Sequence, residues 1–447
     1  MNNKITKLIL IIAIILLTTG IILLSINIFK KDNQNTPINI EEPVIEEKHF
    51  YVETIDFINK PNKLDKNTIY NIELSILPEN AENKEITFST NDSNICTIDN
   101  NGTLKTINKG NCVINVESTN NIKSSLIIEI YNSRELKGFN VDKDNYTIEV
   151  NKDFNININT DPGNAEYNSI TCTSSDTSIF TTTVNNKTCV LKGIKSGNAN
   201  LTIKVDDFSK TVNIKSITKE TINVASLNIG RGNKYKNLTH TSFSNYLKGL
   251  DIIGLQEARD SNGTEKLVKN IASDLGLKYY YGTKAPAGNA VISKYNFIEK
   301  TETKLPSPSE TRTIIKTVFN INNVNISFYD THIVVSKHEG GSCTADATNT
   351  SKCPYRVKEL KEVNKMIQSD PNPVIIVADW NFTGNQWFDM LGNNLIKVGY
   401  DTIRNRDFDS IWIIPKDRIE YVSNDAKETR EKVTDHNLVI SKLNIIN

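Results

Sequence analysis

The stretch NPVIIVADWNFT (residues 372–383) runs an apolar segment directly into a carboxylate, with an amide two positions later. The five apolar residues from Val374 to Ala378 are typical of a strand that is covered on both faces. Side chains alternate along a strand, so Asp379 and Asn381 are expected to point to the same side where the chain leaves the core. Carboxylate and amide oxygens in that position suit a metal ion or a phosphate group. The stretch therefore predicts a buried strand that ends at a polar site.

Length and charge limit the class of protein. The chain has 447 residues, which at about 100 to 200 residues per domain predicts two to four domains. Its 52 basic and 52 acidic residues give a formal net charge of zero. This balance argues against a protein that coats nucleic acid through bulk charge, but it leaves room for a local basic cleft.

The N-terminal segment LILIIAIILLTTGIILLSINIF (residues 8–29) contains no charge. Its 22 residues are enough to cross a hydrocarbon core of roughly 30 Å as a helix. A cleaved signal peptide usually has a shorter apolar region of roughly 7 to 15 residues and a small-residue cleavage site, and neither is evident here. Lysines flank the segment on both sides, so the positive-inside rule does not set its orientation. We therefore predict an uncleaved transmembrane anchor over residues 1–31 and a polar linker over residues 32–49.

The six cysteines fall into three local pairs along the chain: Cys96 with Cys112, Cys172 with Cys189, and Cys343 with Cys353. An internal repeat supports this pairing, because residues 86–116 resemble residues 170–205. The two cysteine pairs fall at different positions of the repeat, and the other copy has no cysteine at either position of a pair. A pair is thus present or absent as a whole, as expected if its two cysteines are bonded to each other within one repeat. Disulfides predict that the bulk of the chain is extracellular, on a single-pass protein of the cell membrane. The alternative is six buried thiols in the cytosol; zinc is disfavoured because no Cys-x-x-Cys spacing occurs.

Residues 50–132 and 133–217 contain short alternating apolar runs separated by Asn, Asp and Gly, which is typical of β-sandwiches. The segment LPENAENKEITFSTNDSNICTIDNNGTLKTINKGNCVINV (77–116) resembles the bacterial immunoglobulin-like domains of surface proteins. The resemblance covers both copies of the repeat and implies two all-β immunoglobulin-like domains. We interpret them as a spacer, in preference to a sugar-binding or adhesive role.

From residue 218 to residue 447, apolar strands alternate with helical patterns such as HTSFSNYLKGL (240–250) and YRVKELKEVNKMIQS (355–369). This alternation predicts a layered α/β fold. Polar residues follow or begin the predicted strands: Asn228, Gln256, Glu257, His332, Asp379, Asn381, Asp409, Asp435 and His436. Each of them alone is explained by a turn, a cap or a surface group. Together they contain the parts that hydrolysis of a phosphodiester needs.

A hard divalent cation binds carboxylate and amide oxygens. Glu257 is the main candidate ligand, with Asn228 and Asp409 as further ones, and the cation would polarise the phosphoryl oxygen. Asn381 would donate a hydrogen bond to a phosphate oxygen or to a water ligand of the metal.

The remaining groups suit proton transfer. Asp379 is expected to orient or deprotonate the attacking water. His436, oriented by a carboxylate of Asp435 or Asp409, and His332 are expected to stabilise the developing charge or to assist the leaving oxygen.

Seven motifs in this region carry a second resemblance: LNIGRG, DIIGLQEARD, GNAVISK, YDTHI, VADWN, FDSIW and TDHNLVI. In their order along residues 219–447 they resemble the motifs of the endonuclease/exonuclease/phosphatase superfamily. The resemblance implies a four-layered αββα sandwich with a Mg2+-dependent site, Mn2+ or Ca2+ being alternative ions. It also implies metal-site roles for Asn228, Glu257 and Asp435, and catalytic roles for His332, Asp379, Asn381, Asp409, Asp435 and His436. Ala378 and Thr434 stand where the family usually has Gly and Ser.

Two arginines bear on the substrate. The sequence Gln-Glu-Ala-Arg-Asp that contains Arg259 resembles that of pancreatic-type deoxyribonucleases, in which the arginine reaches the nucleic acid. Arg312 resembles the arginine of the family that contacts phosphate. The alternative for Arg259 is an ion pair with Asp260 or Glu265. We therefore predict a surface-anchored, extracellular phosphodiesterase that acts as a nuclease on DNA or RNA, with no obligate protein partner.

Three other functions stay open at this point. A sphingomyelinase-type phospholipid phosphodiesterase would need exposed aromatic residues beside its cleft, for which Trp380, Trp387 and Phe388 are candidates. Ordinary packing explains these three side chains equally well, and we prefer it. A phosphomonoesterase would use nearly the same core residues. A non-catalytic surface adhesin is disfavoured, because a degenerate domain would be expected to lose some of the catalytic residues that this chain retains.

Overall fold

A computed structural model describes residues 48–230, 239–260, 263–307, 311–339, 343–347, 349–430 and 432–447. The chain divides into two compact units, Met1–Asn132 and Ser133–Asn447. In the described part of the first unit all regular elements are strands: β1 (Thr54–Phe57), β2 (Lys63–Asp65), β3 (Ile69–Asn71), β4 (Leu74–Leu77), β5 (Ile86–Thr90), β6 (Cys96–Ile98), β7 (Thr103–Thr106), β8 (Gly110–Ser118) and β9 (Lys123–Tyr131).

The first unit is built from small sheets around one apolar core. A four-stranded sheet has the order β2-β9-β8-β5, a three-stranded sheet has the order β3-β7-β6, and β1 pairs with β4. Buried residues alternate along β8, which is the pattern of a strand with one face in a core. The disulfide Cys96–Cys112 joins β6 to β8 and lies fully buried in this core, so it links the two larger sheets.

The second unit begins with a similar set of strands: β10 (Gly138–Asn140), β11 (Asn145–Glu149), β12 (Asp153–Asn157), β13 (Asn159–Asp161), β14 (Ile170–Ser174), β15 (Phe180–Asn185), β16 (Thr188–Gly193), β17 (Gly197–Val205) and β18 (Phe208–Ile217). They form the sheets β11-β18-β17-β14, β12-β16-β15 and β10-β13. The disulfide Cys172–Cys189 joins β14 to β16 and again links the two larger sheets. The immunoglobulin-like character of residues 50–217 stays a prediction.

The C-terminal region contains twelve further strands within the described residues: β19 (Lys219–Asn228), β20 (Ile252–Gln256), β21 (Lys278–Tyr281), β22 (Asn289–Ser293), β23 (Glu299–Lys304), β24 (Thr313–Ile321), β25 (Val324–His332), β26 (Val374–Asp379), β27 (Ile396–Asp401), β28 (Arg406–Ile414), β29 (Ile419–Lys427) and β30 (Leu438–Ile446). Its helices are α1 (His240–Leu247), α2 (Lys266–Leu275), α3 (Pro354–Gln368) and α4 (Asn385–Phe388), with 3-10 turns at Ser336–His338, Thr350–Lys352 and Asp389–Leu391.

These strands form two six-stranded sheets. The first sheet has the order β21-β22-β20-β19-β30-β29, and the second sheet has the order β23-β24-β25-β26-β28-β27. An apolar core lies between them, with contributions from nearly every strand, among them Val224, Phe319, Phe328, Val377 and Leu443. Helices α1 and α2 pack on the outer face of the first sheet, and α3 packs on the outer face of the second.

Strand register sets the position of the polar strand ends. Parallel pairing of β25 with β26 places His332 opposite Asp379. Antiparallel pairing of β26 with β28 places Asp409 opposite Asp379 from the other side. In the first sheet, parallel pairing of β19 with β20 places Asn228 opposite Gln256. The predicted strand ends therefore meet at one edge of the two sheets.

The predicted fold class was wrong. It included an N-terminal transmembrane helix, but across the described residues no helix is both long enough and apolar enough to cross a membrane. The predicted anchor and most of the predicted linker lie outside the described residues. The described chain is mainly β-strand with few helices. The helical pattern at 240–250 is longer than the helix it forms, since α1 has 8 residues and stops before Gly249. Helix α2 stops at Gly276, whose φ of 66° ends the helix.

Candidate active site

Asp379 is the central group of the polar cluster at the sheet edge. Its Oδ2 accepts a hydrogen bond from Asn228 Nδ2 at 2.8 Å, across the gap between the two sheets. Its Oδ1 accepts from the backbone N–H of Asn381 at 3.1 Å. The side chain is only 2% exposed. Burial raises the pKa of Asp379 and the charge of Asp409 adds to this effect, whereas His436 and Asn228 oppose it.

The tautomer of His332 follows from its neighbours. Arg312 Nη1 lies 2.8 Å from His332 Nδ1. A guanidinium can only donate, so Nδ1 accepts and the imidazole proton is on Nε2. His332 Nε2 lies 3.4 Å from Asp379 Oδ2. Arg312 therefore orients a neutral imidazole whose N–H faces the Asp379 carboxylate.

His436 approaches the same carboxylate from the first sheet. Its Nδ1 lies 2.8 Å from Asp409 Oδ2, and its Nε2 lies 3.8 Å from Asp379 Oδ2 and 3.9 Å from Asp435 Oδ1. Burial lowers the pKa of His436, but the charges of Asp409 and Asp379, together with the hydrogen bond to Asp409, raise it to about 9. The imidazole is therefore protonated near neutral pH, with one N–H on Asp409 and the other directed at the cluster.

The oxygen donors around this cluster fit a hard divalent cation. Glu257 has a positive φ of 47°, which turns the chain directly after β20, and its Oε1 lies 3.5 Å from Asn228 Nδ2. The Glu257 charge acts on His436, as expected for a carboxylate that faces the same cavity. Asp435 brings a further carboxylate oxygen to the same imidazole.

Asp379, Asp409 and His436 also bring one donor atom each to within 4.8 Å of one another, a spacing that could hold a metal ion. However, Asp409 Oδ2 and His436 Nδ1 are hydrogen-bonded to each other at 2.8 Å. That bond occupies Asp409 Oδ2 and His436 Nδ1, whereas Asp409 Oδ1 has no hydrogen-bond partner among the described residues. Glu257, Asn228 and Asp435 stay the predicted metal ligands.

Two of the predicted residues use their side-chain donors on backbone carbonyls. Asn381 has a φ of 53°, and its Nδ2 donates to the carbonyl of Ile333 at 2.9 Å, so its side chain ties together the segments that follow β25 and β26. Arg259 donates to the carbonyls of Gly263 at 2.7 Å and Pro286 at 3.3 Å. The structure thus brings Arg312 to the cluster, whereas Arg259 braces its own loop.

The aromatic side chains after β26 are interior. Trp380 and Trp387 are fully buried, and Phe388 is 5% exposed. The guanidinium of Arg356 lies 4.8 Å from the Trp387 ring centroid, donates to Ser336 Oγ at 2.9 Å and lies 3.5 Å from the carbonyl of Asn381. Arg356 therefore supports this segment from within the core, and the aromatic rings are not available to insert into a lipid surface.

Several supporting contacts were not predicted from the sequence. Gln256 Nε2 donates to Asp330 Oδ1 at 2.6 Å beneath the cluster, with both side chains fully buried. Asn437 Nδ2 lies 3.0 Å from Asp401 Oδ2, and Thr434 Oγ1 donates to the carbonyl of Asn228 at 2.7 Å. The one available signal was the carboxylate of Asp330 within the strand segment NISFYDTH (325–332).

These groups form a cluster with a cationic imidazole, an anchored neutral imidazole and oxygen donors for a metal. Such a cluster can hold an anionic ester and move protons at it, which places the domain among the hydrolases of phosphate esters. Residues 222–422 match the model of the Endonuclease/Exonuclease/phosphatase family. The C-terminal domain of this chain belongs to that family, whose enzymes depend on a divalent metal ion.

The solved structures similar to this chain include the following three. An endonuclease/exonuclease/phosphatase from Beutenbergia cavernae is 14% identical over 50% of this chain and 72% of its own, with a TM-score of 0.40. A family member from Bacteroides thetaiotaomicron is 16% identical over 51% and 98%, with a TM-score of 0.39. TDP2 of D. rerio, solved with a single strand DNA product, is 15% identical over 50% and 99%, with a TM-score of 0.40. A comparison with curated proteins found no match.

Proposed function

We propose that the C-terminal domain is a metal-dependent phosphodiesterase that hydrolyses nucleic acid. The observation that carries this proposal is the position of Asp379 Oδ2, 3.4 Å from His332 Nε2 and 3.8 Å from His436 Nε2. The Asp379 carboxylate lies between a neutral imidazole, His332, and a cationic one, His436. The carboxylate is suited to accept a proton from the attacking water, while the two imidazoles supply a proton and a positive charge to the phosphate.

Asp379 acts as the base for the attacking water. Its raised pKa makes its carboxylate a stronger proton acceptor than that of an exposed aspartate. His436, held as an imidazolium by Asp409, stabilises the negative charge that develops on the phosphoryl oxygens. His332, oriented by Arg312, directs its Nε2–H into the same cavity and assists the leaving oxygen. Glu257, Asn228 and Asp435 would hold the metal ion, most simply Mg2+, which when bound polarises the phosphoryl oxygen.

Nucleic acid is favoured over phospholipid as the substrate. The candidate lipid-binding aromatic residues Trp380, Trp387 and Phe388 lie in the core, so their side chains cannot insert into a lipid surface. Buried Arg312 adds a fixed positive charge beside the cluster, which suits the phosphodiester of either substrate, so the preference for nucleic acid rests on the buried aromatic residues.

The test uses the purified full-length chain with Mg2+, with Mn2+ and with EDTA. Supercoiled DNA, RNA, sphingomyelin liposomes and a phosphate monoester are offered in parallel. We expect metal-dependent cleavage of nucleic acid that Asp379→Asn reduces by at least about 10²-fold, the lower end of what a positioned acid or base contributes. Asp389→Asn, which changes an exposed carboxylate of the following segment, is the matched control. Cleavage of sphingomyelin or of the monoester alone, or an active Asp379→Asn variant, would contradict the proposal.

We also propose that the domain acts outside the cytosol. All six cysteines are paired, as Cys96–Cys112, Cys172–Cys189 and Cys343–Cys353. Disulfides persist in oxidising compartments. The test is a thiol titration of protein that is isolated from its natural source and unfolded without a reductant. No free thiol is expected, and six free thiols would refute this location.

A further inference from the structure

We propose that Arg404, Arg406 and Arg430 form a second phosphate-binding site beside the catalytic cavity, which holds the nucleic acid strand next to the bond that is cut. We call these three residues the basic rim. The proposal rests on the proposed function and specifies how a polymer would be selected over a small phosphate ester.

The two segments that carry the basic rim are fixed to each other. Asp401, at the end of β27, accepts from Asn437 Nδ2 at 3.1 and 3.0 Å and from the backbone N–H of Arg404 at 3.1 Å. Asn437 Oδ1 in turn accepts from the backbone N–H of Arg430 at 3.3 Å. Arg406 pairs with Asp401 across the hairpin. The buried Asp401–Asn437 pair therefore holds all three arginines on one rigid platform.

This platform adjoins the catalytic groups. Asn437 directly follows His436, and β28 carries Arg406 and Asp409 on the same strand. Burial and the charges of Arg430 and Arg406 lower the pKa of Arg404, whereas the carboxylates of Asp401 and Asp409 raise it. Arg404 thus lies within electrostatic reach of both the other arginines and the carboxylate that holds His436.

Two arginines of the basic rim have donors available for a ligand. Among the described residues, the guanidinium groups of Arg404 and Arg406 form no hydrogen bond and no ion pair; that of Arg406 lies 5.9 Å from the Phe408 ring centroid. The nearby carboxylates have other partners, since Asp407 pairs with Lys397 at 2.9 Å and Glu428 pairs with Lys432 at 2.8 Å. The positive charges of Arg404 and Arg406 are therefore left for an external anion.

The chemistry of this anion follows from the guanidinium group. Planar guanidinium donors match the oxygens of a phosphodiester, and clustered arginines repel one another unless an anion lies between them. A phosphate monoester carries a single phosphate group, so it offers one anion for the two sites. A nucleic acid strand carries a further phosphate at every nucleotide, so it can occupy both sites at once.

The test measures binding and cleavage separately in the full-length chain. Binding of labelled single-stranded DNA, duplex DNA and RNA is followed by fluorescence anisotropy in the Asp379→Asn background, with and without Arg404→Ala/Arg406→Ala. Loss of two phosphate contacts is expected to weaken binding roughly tenfold and to flatten the slope of log affinity against log salt by about 1.4 for single strands or 1.8 for duplex. The three nucleic acids show which kind of strand uses the rim.

Cleavage then separates this proposal from the proposed function. In the chain that retains Asp379, kcat/KM is measured for the nucleic acid polymer and for bis(p-nitrophenyl) phosphate. The double substitution should lower the ratio of the first value to the second, mainly by raising the KM for the polymer. Arg418→Ala, which removes an arginine at the start of β29, is the matched control and should leave the ratio and the salt slope as in the wild type. Unchanged affinity and salt slope in the double variant would overturn the basic rim even if the wild type cleaves nucleic acid. A wild type that cleaves no nucleic acid would overturn the proposed function, and the binding arm would still decide the rim.

Discussion

Replacing Asp409 by Asn should remove the charge that keeps His436 protonated. Asp409 Oδ2 lies 2.8 Å from His436 Nδ1, and the pKa of His436 is raised to about 9. An opposite charge at such a distance shifts a pKa by about 1 to 3 units, so the pKa of His436 in Asp409→Asn should fall to between about 6 and 8. At about 1.4 kcal/mol per unit, the difference corresponds to roughly 1.4 to 4 kcal/mol of interaction with the imidazolium.

The assay is an NMR titration of the histidine ring resonances in the metal-free full-length chain. Only five histidines are present, so His436 can be assigned from the signal that disappears in His436→Gln. Asp407→Asn is the control, since this carboxylate lies on the same strand but pairs with Lys397. An unchanged His436 pKa in Asp409→Asn, or an equal shift in Asp407→Asn, would refute the assignment of Asp409 as the group that holds the imidazolium.

The same pair makes a prediction about stability. Because the folded-state pKa of His436 is raised, its contribution to the free energy of unfolding is complete below the unfolded-state pKa of about 6.5 and is lost as the pH rises through about 9. The stability difference between wild type and Asp409→Asn should therefore be largest in mildly acidic solution and should shrink above about pH 9.

Two further predictions concern buried groups that support the site. Burial raises the pKa of Asp330 well above its usual range, so the contribution of Asp330 to the free energy of unfolding is present at low pH and is lost as the pH rises. Asp330→Asn should reduce this loss, which is measured by denaturant titrations at about pH 5 and about pH 9. An unchanged pH dependence of the free energy of unfolding would contradict a neutral Asp330. Arg356 is fully buried, and Arg356→Ala should lower the free energy of unfolding by about 3 to 5 kcal/mol because it leaves nearby charges and carbonyls without their donor. Lys358→Ala, an exposed position on the same helix, should cost less than about 0.5 kcal/mol, and equal losses in the two variants would refute the supporting role.

The sequence predicts which residues stand at the ends of the strands, but not which of them meet. Val374 to Ala378 was expected to be a buried strand that ends at a polar site, and β26 has these properties. An uninterrupted apolar run buries both of its faces only when the strand lies between two packed layers. The register of the neighbouring strands places His332 and Asp409 on either side of Asp379. The hydrogen bond from Asn228 to Asp379 spans 151 positions, and no local pattern encodes such a distance.

The predictions that failed or remain open relied on patterns that have two physical explanations. A charge-free run at the N-terminus suits a membrane span, but the described structure contains no such helix. Arg259 was expected near nucleic acid from its neighbours in sequence, yet its donors serve the carbonyls of Gly263 and Pro286. Sequence context alone does not tell whether an arginine braces a loop or faces a ligand, because the same donors do both.

Four contacts of the site share one geometric feature: each joins the first sheet, or the segment that leads into its strand β30, to a residue of the second sheet. The pairs are Asn228 with Asp379, His436 with Asp409, Gln256 with Asp330, and Asn437 with Asp401. Hydrogen bonds tolerate only a few tenths of an ångström of change in length, so all four depend on the spacing that the apolar core sets between the sheets. Gly254 lies directly below them: a Cβ there would overlap the side chain of Val377 and lie 2.9 Å from Asp330 Oδ1. A Cβ at Gly399 would likewise overlap Ser441 Oγ of the first sheet. The absence of side chains at these positions lets the sheets approach closely enough for residues of opposite layers to form hydrogen bonds, and this approach, more than any single strand end, brings the polar strand ends together as a catalytic site.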